Sequence, residues 1–403
     1  MVSAIDPVAG FLAVVAFAPL GHLAAVTVSV ENFRMAEAVT LAFFAGWLLH
    51  GWTDRDGPRM PRWIAPLLAA AVAASVAGLA WQLARRGGDL RADVDLLVHA
   101  YNIADDRFGF TAGARLVEGL ALAAATVTLF RCRPRLAVLV PAVLAGGGVA
   151  AAAASGLLWY GVAPAAVLRD YLRNRYRVVA HVPDANAAGS AFAMLTCLSI
   201  GMALRARGRS RALWIAAAGA NGFAVWLSAS RSALAATVAG VVLFAVWWTA
   251  AHLRSRRAAL VAAGICLVAS VAGAGYMWRL SRDQLSRGST LRAQFNETSE
   301  RMIAARPLVG VGIGQYYRQS SLFMTPQLAW FYGSENAHNY FLQIAAELGV
   351  PGLVLFGGLF VAALWRTARA AARQPRDPRL VGVGCGVVAF LGTAFVSHPF
   401  LVD

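Results

Sequence analysis

A chain of 403 residues would ordinarily hold two or three soluble domains, and its composition excludes that arrangement. Hydrophobic residues make up 59% and charged residues 14%, against about 45–50% and about 25% in soluble domains, and the mean hydropathy is +0.59. A multi-span membrane protein is the class that remains; the net charge of +16, carried by 36 cations that are all arginine, assigns no function through the choice of arginine alone.

A bilayer core about 30 Å thick takes about 20 apolar residues per helix, and a helix satisfies its own backbone in lipid. In chain order, apolar runs of that kind lie near 8–30, 36–52, 63–83, 112–130, 136–160, 185–204, 211–228, 231–252, 258–279, 338–365 and 380–398. The predicted fold is all-α: a polytopic helical bundle of about 11–12 transmembrane helices, a single integral membrane domain over 1–403. The first run is long enough to span and has no basic region before it, so it reads as a span rather than a cleavable leader. Cys132, Cys197, Cys266 and Cys385 stand singly, without C-x-x-C spacing, and read as small hydrophobes rather than as redox or metal groups.

Arginines cluster at Arg55/Arg59/Arg62, Arg131/Arg133/Arg135, Arg205/Arg207/Arg209/Arg211, Arg254/Arg256/Arg257 and Arg366/Arg369/Arg373/Arg376/Arg379. Successive clusters are two spans apart, so all face one side, the cytoplasm. Segments 84–111, 161–184 and 280–337 then fall outside. The N-terminus is inside and an eleventh span leaves Asp403 outside; bundles of this kind usually have an even count, so one more helix is expected beyond it.

The outer segments hold the conspicuous polar residues. In 84–111, Asp93-Val94-Asp95 with His99 has a pattern that holds a divalent cation on diphosphates, but such triplets are common by chance, and Asp54-Arg55-Asp56 repeats it on the wrong side. In 161–184, Arg169, Arg173, Arg175 and Arg177 suit either anionic headgroups or a phosphorylated substrate. In 280–337, Leu291, Phe295, Met302 and Ile303 recur at helical spacing and predict an amphipathic helix on or near the membrane surface, stopped by Pro307. Gly310-Val311-Gly312-Ile313-Gly314 follows; with no strand before it, it reads as a flexible turn rather than a nucleotide loop.

Asn339, Gln343 and Glu347 then share one helix face at a depth where polar groups face a bundle interior or a wet cavity. Glu347 is equally readable as a structural partner for a neighbouring arginine. His338 alone among the seven histidines lies in a dense polar cluster at the membrane boundary. Arg231 follows Ser228-Ala229-Ser230 where a span begins on the outer side, a position at which a cation opposes the helix dipole. It snorkels to headgroups or holds an anion in a wet cleft.

Glu335-Asn336-Ala337-His338-Asn339-Tyr340-Phe341-Leu342-Gln343, running on to Glu347-Leu348-Gly349-Val350-Pro351-Gly352, resembles the signature of the bacterial O-antigen ligase family. Arg292 ahead of Pro307-Leu308-Val309-Gly310-Val311-Gly312 and the Ser228-Ala229-Ser230-Arg231-Ser232 turn fit the same pattern. The family also includes O-antigen polymerases and protein O-oligosaccharyltransferases, which this motif does not separate, and its usual twelve spans exceed the eleven found here.

The resemblance implies transfer of O-antigen from undecaprenyl diphosphate to the lipid A-core oligosaccharide at the periplasmic face of the bacterial inner membrane, without metal or cofactor. Carried over by position, it implies His338, Arg231 and Arg292 as the catalytic set. Arg287, Arg173 and Arg175 are weaker candidates for contacts to donor phosphate or lipid A, and Tyr316, Asn336 and Asn339 for shaping the pocket. The expected partners are the carrier-linked glycan, the lipid A-core and membrane lipids, with no nucleic acid. A periplasmic enzyme has no nucleotide sugars, so the donor must arrive activated. Arginine matches the leaving diphosphate with paired donors and keeps its charge, while a histidine suits removal of the acceptor hydroxyl proton. A single displacement of this kind inverts the anomeric centre. The rival from another class, a transporter of lipid-linked sugars, would place its ionisable residues near the midplane, with inverted repeats, rather than at the outer boundary.

Overall fold

The computed structural model describes residues 2–27, 35–53, 110–159, 184–252, 282–374 and 377–397. The predicted spans near 63–83 and 258–279 lie outside these residues, as do Asp93, Asp95, His99, Arg173 and Arg175. Among the described residues all regular structure is helical. The helices are α1 (Val2–Ile5), α2 (Pro7–Phe17), α3 (Gly21–Thr27), α4 (Met35–Thr53), α5 (Phe110–Cys132), α6 (Leu136–Trp159), α7 (Ala185–Arg205), α8 (Gly208–Leu227), α9 (Arg231–His252), α10 (Arg282–Ala305), α11 (Tyr316–Ser320), α12 (Pro326–Tyr332), α13 (Tyr340–Arg373) and α14 (Pro378–Ala394). Four described stretches are long and apolar enough to cross a bilayer: Leu136–Leu157, Ala185–Arg205, Arg231–Ala251 and Tyr340–Arg373. The protein is an all-α, multi-pass membrane protein.

Two predicted spans differ in detail. The 8–30 run is interrupted: α2 ends at Phe17 and α3 begins at Gly21, with Pro19 between them lacking the N–H that would continue the helix. Asp6 caps the start of α2, its carboxylate accepting the Val8 N–H at 2.8 Å. The 338–365 run begins and ends later, as α13, and is broken at Gly349, where φ is 71° and ψ 177°.

The bundle has two apolar centres. One joins Phe11, Phe43, Phe44 and Trp47 of α2 and α4 to Ala125 and Leu129 of α5. The other is built around α7, with Phe192, Cys197, Val225 of α8, Phe244 of α9, and Val381, Cys385 and Ala389 of α14. Small residues set the separation of α7 and α14. A Cβ on Gly382 would lie 2.9 Å from both the Gly201 Cα and the Cys197 carbonyl oxygen, so the two backbones pass in the close manner typical of helices packed in lipid.

The apolar stripe of α10 is helical as the spacing predicts, and it packs on protein. Met302 joins Val311, Tyr316, Ala337 and Ala346, and Phe295 joins Met324 and Leu328. The segment that follows α10 folds back over this stripe through α11 and α12.

Candidate active site

The break in α13 organises the site. Pro351 has no N–H to offer the Glu347 carbonyl, and the left-handed φ of Gly349 turns the Val350 amide away from the helix. A buried backbone group needs a partner, and the glycine-rich turn supplies them. Val311 N–H donates to the Ala346 carbonyl (2.8 Å), Gly312 N–H to the Glu347 carbonyl (3.0 Å), and Val350 N–H to the Pro307 carbonyl (2.8 Å). Glycine is required at both faces of this contact. A Cβ on Gly310 would overlap the Glu347 carbonyl, and one on Gly349 would lie 2.5 Å from the Leu308 carbonyl. The turn expected to be flexible is therefore pinned.

The side chains of α13 complete the pinning. The Glu347 carboxylate accepts the backbone N–H groups of Gly314 (2.8 Å) and Tyr316 (3.3 Å) and the Gln343 side-chain amide (3.2 Å). Gln343 also donates to Asn336 Oδ1 (3.3 Å), and its oxygen accepts the Ala337 N–H (3.3 Å). Asn339 caps α13, its Oδ1 accepting the Leu342 N–H at 3.2 Å. The polar face predicted from Asn339, Gln343 and Glu347 is thus satisfied by the loop it supports, with backbone amides on Glu347.

Between these two anchors stands His338, half-buried, with φ of 51°. Its Nε2 lies 3.8 Å from Glu335 Oε1, and its ring rests on Phe295, centroid to centroid 5.2 Å. Phe295 also meets Tyr332 edge-on at 5.4 Å. Phe295 lies one turn along α10 from Arg292, so the helix carries His338's neighbour and Arg292 on one face.

Arg231 enters from a third element. It opens α9 after a tight turn in which Ala229 has φ of 50°. Ser228 Oγ donates to the Val225 carbonyl (2.7 Å), Ser230 N–H donates to Ser228 Oγ (3.3 Å), and Ser230 Oγ caps the Ala233 N–H (3.4 Å). Gly189 of α7 makes room, since a Cβ there would lie 2.6 Å from Ser228 Oγ. The exposed Arg231 side chain comes within electrostatic reach of Arg292. The Arg292 guanidinium is held below the ordinary arginine range, first by partial desolvation and then by repulsion from Arg231.

Phe295 thus links His338 to the helix that carries Arg292, and Arg231 acts electrostatically on Arg292. The other expected residues divide. Tyr316 is buried, with its hydroxyl 2.6 Å from Ser299 Oγ; burial, with Glu347 and Glu335 adding to it, pushes its phenol well above the usual range against the opposing Ser299 bond. Asn336 is buried on Gln343, and Asn339 is a cap. Tyr316 and Asn336 are thus buried behind the loop, while Asn339 is half-buried at the start of α13. Arg287 lies on α10, its side chain outside the described residues. Glu335 and Phe295 were not singled out as site residues: Glu335 stands at i−3 from His338 inside the motif, a spacing that gave a signal, whereas Phe295 read only as an apolar helix position. Among the described residues no group of three or more His, Cys, Asp or Glu side chains is placed to hold a metal ion.

Residues 216–357, which contain Arg231, Arg292 and His338, match the family model described as O-antigen ligase. Over that stretch the chain is similar to the O-antigen ligase family. It is also similar to the exopolysaccharide production protein ExoQ of Rhizobium meliloti (strain 1021), with 31% identity over 210 residues that cover 47% of each chain. The match thus spans about half the length of that relative. The ligase-family stretch runs from within α8 into α13 and so takes in the whole constellation just described, while α1 to α7 lie outside it.

Proposed function

We propose that this protein transfers a glycan from a polyprenyl diphosphate carrier to an acceptor hydroxyl at the periplasmic face of the bacterial inner membrane, and that the pair is undecaprenyl-diphosphate-linked O-antigen and lipid A-core. The observation that supports the reading is that Arg231 acts electrostatically on Arg292 while His338 rests on Phe295, one turn from Arg292 on α10. Two cations that repel each other are stabilised by an anion between them, and a diphosphate is a doubly or triply charged candidate that arginine grips with paired donors. The acceptor oxygen attacks the anomeric carbon, the bond from that carbon to the phosphate oxygen breaks, and the diphosphate leaves on its carrier with the charge taken up by Arg231 and Arg292. The hydroxyl proton goes to His338, whose ring is set by Phe295 and by the Glu335 carboxylate. A single displacement inverts the anomeric centre.

A second reading is favoured by the relative named for exopolysaccharide production. In it the acceptor is another carrier-linked glycan, and the product is a longer polymer. One assay separates the readings: carrier-linked glycan and lipid A-core are incubated with the protein in nanodiscs and EDTA, beside His338→Ala and Arg231→Ala. A ladder on lipid A-core that survives EDTA and disappears in both variants is the expected result. Lengthening of the carrier-linked glycan alone would replace the acceptor assignment, and neither product from folded protein would favour the transporter.

A further inference from the structure

We infer that Glu347 is a positioning residue for the His338 base and acts on it through Gln343, an inference that rests on the role given to His338 above. Glu347 is 4% exposed, and the N–H donors of Gly314, Tyr316 and Gln343 that it accepts are what a carboxylate, an acceptor at both oxygens, can satisfy. The consequence falls on Gln343. With its NH2 group drawn to the Glu347 carboxylate and Asn336 Oδ1, its oxygen has one remaining direction, toward the Ala337 N–H. Turning the amide over would set an NH2 against that N–H and an oxygen against the carboxylate.

The chain of dependence is short. Glu347 fixes which end of Gln343 faces the loop, and Gln343 fixes the amide of Ala337. From that amide the backbone enters the left-handed conformation of His338 and leaves it at the Asn339 cap. The same carboxylate holds Gly314 and Tyr316, so Glu347 ties the histidine loop and the glycine-rich turn to one point on α13. Left-handed backbone at a residue with a side chain persists only where its surroundings over-determine it, and these bonds do so for His338.

Glu347→Gln tests this with little change of shape, because it puts an NH2 where only an acceptor fits. We expect kcat to fall about 10–100-fold, as a misplaced catalytic group does, with the donor KM changed by less than about threefold since the arginine pair is untouched. In a His338→Ala background the same substitution should cost nothing further, because a residue that acts through another is not additive with it. Histidine-selective NMR, assigned with His338→Ala, reads placement without turnover: the His338 ring signals should move and those of the other histidines stay. Penalties that multiply in the double variant, or unmoved His338 signals in folded Glu347→Gln protein, would overturn the inference. Should Glu347→Gln not fold, Gln343→Ala carries the same three readouts. A wild type that transfers nothing would sink the transferase reading alone, and the NMR arm would still decide the placement.

Discussion

Arg292 on α10 is held below the ordinary arginine range, first by partial desolvation and then by Arg231 at the first position of α9. Like charges so placed cost stability in the ligand-free protein and become favourable once an anion lies between them. Arg292→Ala is therefore expected to melt no lower than wild type without donor, and to lose the stabilisation that added polyprenyl diphosphate gives. Transfer should fall about 10²–10³-fold, the cost of removing one preorganised donor from developing charge. Arg292→Lys should recover part of this, since ammonium keeps the charge without the paired geometry. An Arg292→Ala protein that binds the carrier diphosphate as wild type does would refute the pairing.

His338 carries a φ of 51°, which costs a residue with a Cβ on the order of 1 kcal/mol and glycine almost nothing. Replacing it separates chemistry from strain. His338→Ala and His338→Gly should both lose transfer by about 10²–10⁴-fold, the usual worth of a general base, yet the glycine variant should be the more stable of the two by about 1 kcal/mol. Thermal melts of the two variants side by side check this. The reverse order would mean that the left-handed conformation is not what the chain adopts there.

The membrane class and most helices were legible because an apolar run of a given length has one outcome in lipid. The candidate site was legible only through a motif: His338 and Arg231 stand out by position, and Arg292 enters through the resemblance alone. Long-range geometry was not. Periodicity marked Leu291, Phe295, Met302 and Ile303 as one face of a helix, and it cannot say whether membrane or protein covers that face. Glu347 is readable from sequence as an ion-pair partner, because a sequence shows a polar group without showing the backbone amides that satisfy it. The turn at Gly310 looked flexible for the same reason: the carbonyls that hold it belong to a helix break that Gly349 and Pro351 create more than thirty residues on.

That break gives a test of the fold itself. Gly310→Ala and Gly349→Ala each add a Cβ against backbone atoms that have nowhere to move, and each requires left-handed φ of an alanine. We expect either substitution to cost about 2–4 kcal/mol, the sum of backbone strain and forced repacking, and to reduce the yield of folded protein. Gly357→Ala on the same helix, where a Cβ meets nothing within 4 Å, is the control and should be neutral or slightly stabilising. Equal behaviour of the three in detergent melts would contradict the packing of the glycine-rich turn on α13.

Tyr316 offers a test of the boundary between wall and pocket. Its phenol is buried and bonded to Ser299 Oγ, and Ser299 keeps a second partner in the Phe295 carbonyl (2.9 Å). Tyr316→Phe should then cost about 1 kcal/mol of stability, the net worth of one hydrogen bond, and leave transfer nearly unchanged. The pH dependence has a definite sign. Because burial raises the phenol above its ordinary range, the folded state holds this proton more tightly than the unfolded chain does. The resulting stability is fully present below the ordinary tyrosine value of about 10 and is lost as pH rises past it toward the folded value. Melting temperatures across the alkaline range should therefore fall more steeply for wild type than for Tyr316→Phe. Parallel curves, or a loss of transfer beyond about tenfold with stability intact, would move Tyr316 out of the wall and into contact with substrate.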